Sequence, residues 1–184
     1  MATIFETEKA EWSNKAHFSA QDTLYPLLFN CRKEDLTFES TTISDGGERN
    51  RLLDGSLGID RIAKIECGLN STINYTIQER FREKKFSNYR DVTITEWNHS
   101  TNMPSELYKI AALLFLYAYW DEKSGFGEAV LLDTFKVLEL VRTKQVKIKS
   151  QLNRKNQSFI CVSFDELKKH NGVVLHHYNP FNSL

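Results

Sequence analysis

Four residues in one stretch have the types and spacing to do chemistry. The stretch runs from Gly58 to Arg82, GIDRIAKIECGLNSTINYTIQERFR, and the residues are Asp60, Gln78, Glu79 and Arg80. An aspartate is a hard oxygen ligand for a divalent cation. A glutamine adds an amide oxygen, directly or through water. A guanidinium offsets negative charge that develops on a phosphoryl group, but it stays protonated and cannot serve as a base. Together these groups suit a divalent cation beside a phosphodiester. The spacing predicts how they meet. Ile59 to Cys67 is a strand, Gly68 to Ser71 a turn, and Thr72 to Arg82 a second strand. Side chains alternate across a strand, so Thr76, Gln78 and Arg80 share a polar face, while Ile73, Tyr75, Ile77 and Phe81 share an apolar one. Glu79 falls on the apolar face and joins the polar group only if a bulge turns it inward.

Gly-Ile-Asp, a hairpin, then Ile-Gln-x-Arg-Phe-Arg resembles the motif of the PD-(D/E)XK nuclease superfamily, and most of all its Mrr-like branch, where Gln replaces the first acid of the second half-motif. The likeness covers about residues 54 to 82. It implies that Asp60 binds Mg2+, that Gln78 takes the Glu/Gln role, and that Arg80 stands where the family has Lys. Glu79 is a further candidate for both the catalytic and the metal set. The acid completing the metal site is left open among Glu39, Glu48, Asp54, Glu79 and Asp91. Lys64, four residues beyond Asp60 on the same strand face, is the candidate for a displaced catalytic lysine.

The elements that must position this hairpin come next. Residues 6 to 15 are charged and form either a helix or an arm. Ser19 to Phe29 reads as a helix, capped by Ser19 and kinked or delayed by Pro26. Leu36 to Thr42 is a strand, and Ser44 to Gly58 a polar loop running into the acid-bearing strand. Asp91 to Trp97 alternates as a strand, and Ser105 opens a short helix. Leu113 to Trp120, LLFLYAYW, is a continuous apolar run of strand length, which predicts a strand covered on both faces. Gly127 to Leu132 returns as a strand. Asp133 to Lys144 is a helix with Phe135, Leu138 and Val141 on one side. Ser158 to Val162 is a strand and Phe164 to His170 a short helix. This order predicts an α/β or α+β fold with a mixed central sheet flanked by helices, restriction-endonuclease-like, in a single domain over 1–184.

Two basic clusters bear on partners. Arg80, Arg82, Lys84, Lys85 and Arg90 are interleaved with Phe86 and Tyr89, so cations for phosphates alternate with rings for bases. Lys144, Lys147, Lys149, Arg154 and Lys155 form a run without an acid, which is either a phosphate-contacting segment or a solvated strand edge. The overall charge is balanced, with 24 basic and 24 acidic residues, so only clustering can favour nucleic acid. The cysteines, Cys31, Cys67 and Cys161, are three and widely spaced, which argues against a disulfide framework or zinc ribbon and for a reducing cytoplasm. No apolar leader is evident, and the longest apolar run is too short for a bilayer. His176 and His177 are adjacent and would face opposite ways along a strand, which argues against a chelating pair and for a surface or packed role.

The reading that follows is an Mg2+-dependent endonuclease hydrolysing DNA, of restriction type or phage- or plasmid-encoded, with RNA not excluded and a homodimer expected if both strands are cut. The alternative is an inactive nuclease-like fold serving as a nucleic-acid-binding or structural subunit. A third is a protein-binding module anchored by Trp97, Trp120, Phe126 and Tyr178.

Overall fold

A central sheet of six strands is held between two apolar layers. The computed structural model describes residues 4–41, 47–68, 71–153 and 155–180. The strands are β1 (Leu36–Ser40), β2 (Arg61–Glu66), β3 (Thr72–Glu83), β6 (Leu114–Asp121), β7 (Gly125–Asp133) and β10 (Val174–Tyr178), and they lie in the order β1-β2-β3-β6-β7-β10. All neighbours are antiparallel except β3 and β6, which are parallel. This is the α+β architecture with a mixed central sheet and flanking helices that the sequence predicts.

The parallel pair dictates much of the rest. A parallel connection needs a crossover. Here the crossover contains a 3-10 turn (Lys84–Tyr89), strands β4 (Asp91–Asn98) and β5 (Met103–Pro104), and helix α4 (Glu106–Lys109). β4 becomes the nucleus of a second sheet, ordered β5-β4-β9-β8, with β8 at Lys149–Leu152 and β9 at Gln157–Ser163. The sequence shows these strands one by one, but not that they leave the central sheet.

One face of the central sheet meets this second sheet and helix α5 (Thr134–Arg142). Phe115, Tyr117, Tyr119 and Val130 pack there with Val92, Ile94, Ile160 and Val137. The other face is covered by the N-terminal helical segment, with Ala16, Ala20, Leu24, Tyr25 and Leu28 against Ala63, Ile77, Leu116 and Trp120. Every residue of β6 from Leu114 to Trp120 is buried, as expected for a strand covered on both sides.

Several local expectations are corrected. The N-terminal segment is helical throughout: α1 (Ile4–Ser19), a π turn (Ala20–Leu24) and α2 (Tyr25–Phe29) follow without a break. Ser19 therefore sits inside helix and makes no side-chain cap. Pro26 has no N–H and its ring crowds the preceding turn, and the widened π turn just before it relieves both. The segment predicted as a loop before Gly58 contains helix α3 (Gly47–Asn50) and a π turn (Arg51–Ser56). Phe135 is exposed, whereas Leu138 and Val141 are buried as predicted, together with Val137 and Leu140. Asp133 caps that helix by accepting from the Lys136 N–H at 3.1 Å. A further short helix, α6 (Phe164–Leu167), follows β9. Trp120 and Phe126 are buried in the core, which removes them as exposed anchors.

Candidate functional site

The hairpin β2–β3 brings Asp60 and Gln78 together. Arg61 pairs with Ile77, so Asp60, one step before β2, lies across from Gln78. The Asp60 N–H donates to the Ile77 carbonyl at 2.9 Å, which extends the ladder to the acid. Asp60 Oδ2 accepts from Gln78 Nε2 at 2.8 Å and from the Glu79 N–H at 2.7 Å. Gly58 makes the approach possible. It has φ +56°, and a Cβ there would lie 3.0 Å from Gln78 Oε1 and 3.4 Å from the Ile110 backbone. Burial pushes the Asp60 carboxyl up to about 7, helped by the charges of Glu79 and Asp54 and opposed by the Glu79 N–H and Arg61.

Arg80 follows Gln78 on the same face of β3, beside Tyr117 of β6. Its guanidinium donates to Glu106 Oε2 from α4. That oxygen also accepts from the Thr95 N–H at 3.0 Å and Thr95 Oγ1 at 3.3 Å. The other oxygen, Glu106 Oε1, is buried without a hydrogen-bond partner among the described residues. Desolvation opposes the charged form of Arg80, but its interactions with Glu106, Tyr117 and Asp60 outweigh that and raise the guanidinium above its ordinary value. Glu106 was not legible as a site residue. In sequence it is an ordinary acid in the first turn of a short helix.

Glu79 goes the other way, and no bulge interrupts β3 to turn it toward Asp60. Its carboxylate accepts from His17 Nδ1 at 2.9 Å and from the Tyr25 hydroxyl at 2.5 Å, with Arg61 Nε at 3.7 Å. Arg61 Nε donates to His17 Nε2 at 2.9 Å, and Gln21 Nε2 lies 2.7 Å from the same atom. The tautomer with its proton on Nδ1 satisfies these donors. Only 5% of the His17 side chain and 6% of that of Glu79 is exposed, so this network is closed to substrate. Glu79 is therefore removed from the catalytic and metal sets as a side chain, although its backbone N–H holds Asp60.

The reserve acids separate in the same way. Glu39 pairs with Arg49 and with Lys64, at 3.4 Å from the latter. Lys64 is thus held toward β1. Asp91 accepts from Arg82 at 2.9 Å and from the Tyr119 hydroxyl at 3.3 Å. Glu48 lies in α3, whereas Asp54 lies close enough to Asp60 to raise it. Among the described residues no group of three or more His, Cys, Asp or Glu gathers as a metal cage. Mg2+ needs no such cage, since one or two carboxylates with water and substrate oxygens suffice. Asp60, Asp54 and the Gln78 amide oxygen are hard donors of the right kind.

The first predicted basic cluster is engaged by the protein, and the described residues of the second are exposed. Arg90 donates to both oxygens of Glu128, at 2.8 and 3.0 Å, and to Asp165 at 3.0 Å. His177 Nε2 joins Glu128 at 2.6 Å, while His176 is exposed, so the two histidines do diverge. Lys84 donates to the Ser124 carbonyl at 3.1 Å, and Lys85 pairs with Glu83. Arg82 lies 5.0 Å from the Phe86 ring centre and 5.4 Å from that of Tyr89. Lys147, just before β8, and Lys149, at its start, are exposed, Lys155 lines a cleft shared with Arg80 and Arg82, and Arg154 lies outside the described residues.

No family model matches the chain, and neither a curated protein nor a solved structure matches it. Cys31, Cys67 and Cys161 are free thiols, and among the described residues no helix is long and apolar enough to cross a membrane.

Proposed function

We propose that this chain is a metal-dependent endonuclease that hydrolyses DNA phosphodiesters, working in a reducing cytoplasmic setting. The observation carrying this reading is the placement of Asp60 across from Gln78, with Arg80 next on the same strand face and a cationic cleft beyond it. Asp60, with Asp54 in reach, would hold Mg2+, and Gln78 would lend its amide oxygen. The bound ion would supply an activated water and part of the charge that the scissile phosphate needs offset. The chain's own groups do the rest. The Glu79 N–H and the Gln78 amide fix the rotamer of Asp60. Asp60 would have to give up the proton that burial favours on it before it could hold a cation, so metal binding would strengthen as pH rises through about 7. Arg80, anchored by Glu106, presents a fixed positive charge that cannot be titrated away. Plasmid cleavage by wild type and Asp60→Ala in Mg2+, Mn2+ and EDTA tests this. Metal-dependent cutting that vanishes in the variant supports it, and cutting that survives the substitution removes it.

One observation favours a second reading, a nuclease-like fold that binds nucleic acid without cutting. Gln78 turns a donor N–H toward Asp60, which suits a protonated or shared carboxyl as well as a metal ligand. Tight binding that is indifferent to EDTA, with no cutting in either metal, would select it.

A further inference from the structure

Beyond Arg80 the cleft opens into two chambers that share one wall. The first, about 620 Å³, lies between β3, β6 and the second sheet, with Phe159 and Tyr117 among its lining. The second, about 550 Å³, lies between β3, the 3-10 turn and α1, with Trp12 and Phe86 among its lining. Phe81, Arg82 and Lys155 line both. Each volume is that of a small-ligand site. The neck between them is cationic. The Arg82 guanidinium is fixed there by Asp91 and by the rings of Phe86 and Tyr89. Lys155 is exposed, and its ammonium has no ion-pair partner among the described residues. Asn153 and Gln157 add amide groups to the first chamber, where Thr93 and Thr95 add hydroxyls. The second chamber also carries Glu8 and Glu83, the latter paired with Lys85, so its lining is the less cationic of the two.

We infer that this trough binds a single-stranded nucleic-acid segment, with a linking phosphate at the Arg82–Lys155 neck and a base in each chamber. The alternation decides the ligand class. Rings on both sides of a cationic neck offer stacking to consecutive bases, which is how strands are held without reading their sequence. A lone phosphate would use the neck but leave the rings of Phe159, Trp12 and Phe86 without purpose. A duplex turns its bases inward and could present only phosphates, which would leave the rings of both chambers unused, and Lys84, Lys85 and Arg90, which could extend a phosphate track along the first cluster, are engaged elsewhere. The inference takes from the proposed function only that the ligand is nucleic acid, and it does not require cleavage.

The test is fluorescence anisotropy in EDTA, with a labelled oligothymidine and a duplex of the same length as probes. The proteins are wild type, Lys155→Glu, Phe159→Ala, and Lys123→Glu as a charge control away from the trough. Circular dichroism checks that each is folded. Wild type should bind the single strand more tightly than the duplex and weaken as salt rises from about 50 to about 200 mM. Lys155→Glu and Phe159→Ala should each weaken strand binding about tenfold, and Lys123→Glu should not. No strand binding, equal or tighter duplex binding, or binding unchanged in either trough variant would overturn the inference. Loss with Lys155→Glu alone would mean a phosphate contact without stacking, and overturns it as well. A wild type that holds the strand in EDTA but cuts nothing in Mg2+ or Mn2+ would sink the nuclease reading and leave the trough standing.

Discussion

Replacing Asp60 with Asn should stabilise the protein, by an amount that grows with pH. Asp60 titrates at about 7 in the folded chain, against an ordinary value of 3.8. The folded state therefore holds the proton more tightly than the unfolded state does. Below 3.8 both states are protonated and the acid costs nothing. Between 3.8 and 7 the unfolded chain gives up the proton first, and stability falls by about 1.4 kcal/mol per pH unit. Above 7 the loss is complete, at about 4 kcal/mol. The substituted amide is neutral throughout, and its oxygen can still accept from the Glu79 N–H and Gln78 Nε2. The advantage of Asp60→Asn over wild type should thus grow by roughly 2 to 3 kcal/mol between about pH 5 and about pH 8.5. Urea unfolding of both proteins in EDTA at those two pH values measures it. A gap that is constant, or that favours Asp60, refutes the argument that burial governs this carboxyl. Adding Mg2+ at the higher pH should then narrow the gap, because a metal bound to the folded state alone stabilises it. A gap that ignores Mg2+ would leave the stability argument intact and count against the metal site.

Other outcomes follow from the partners of single side chains. Glu79→Ala should destabilise by about 3 kcal/mol in urea unfolding, because Arg61 and His17 are left buried beside a missing carboxylate. Arg90→Ala should cost only about 1 kcal/mol, since the guanidinium is 42% exposed and solvent screens its pairs with Glu128 and Asp165, and it should leave strand binding unchanged by anisotropy. Asp133→Ala removes the cap of α5 and should cost about 1 kcal/mol, read as a fall in thermal midpoint. Arg80→Lys should retain more of any metal-dependent cutting than Arg80→Ala, because the ammonium keeps the charge that the guanidinium supplies, and equal activity in the two variants would remove Arg80 from the chemistry.

The hairpin and its faces were legible because alternation is local. A strand side chain points to one side or the other whatever the rest of the chain does, so the pairing of Asp60 with Gln78, the separation of Glu79, and the doubly covered β6 could all be read from neighbours in sequence. The second sheet could not, since nothing in DVTITEW states whether its ladder partner is β3 or β9. Part of the first basic cluster misled for a related reason, although Arg82 and Lys155 do line the cleft. A run of Lys and Arg shows charge but not what stands opposite. Glu128 and Asp165, which hold Arg90, lie 38 and 75 residues away in sequence. Glu106 escaped notice on the same ground, because its importance lies in reaching Arg80 and Thr95 across a crossover. The π turn before Pro26 was half legible: proline announces a disturbance but not the form that relieves it.

One strand joins these parts, and its geometry sets what can be changed. On one face β3 carries Gln78, Arg80 and Arg82, which lead from Asp60 into the cleft. On the other it carries Ile77, Glu79 and Phe81, which bind the strand to the N-terminal helices through apolar packing and the His17–Arg61–Tyr25 network. The two faces are not independent, because the backbone N–H of Glu79 holds Asp60 while its side chain holds α1 and α2. A shift of the helical layer would therefore move the donor that positions the acid, without any residue of that layer touching the cleft. Conversely, a one-residue slip in the β2–β3 register would exchange the faces, placing Glu79 in the cleft and Arg80 in the apolar layer. A guanidinium there would have no carboxylate to meet, so the buried network acts as the register lock for the site.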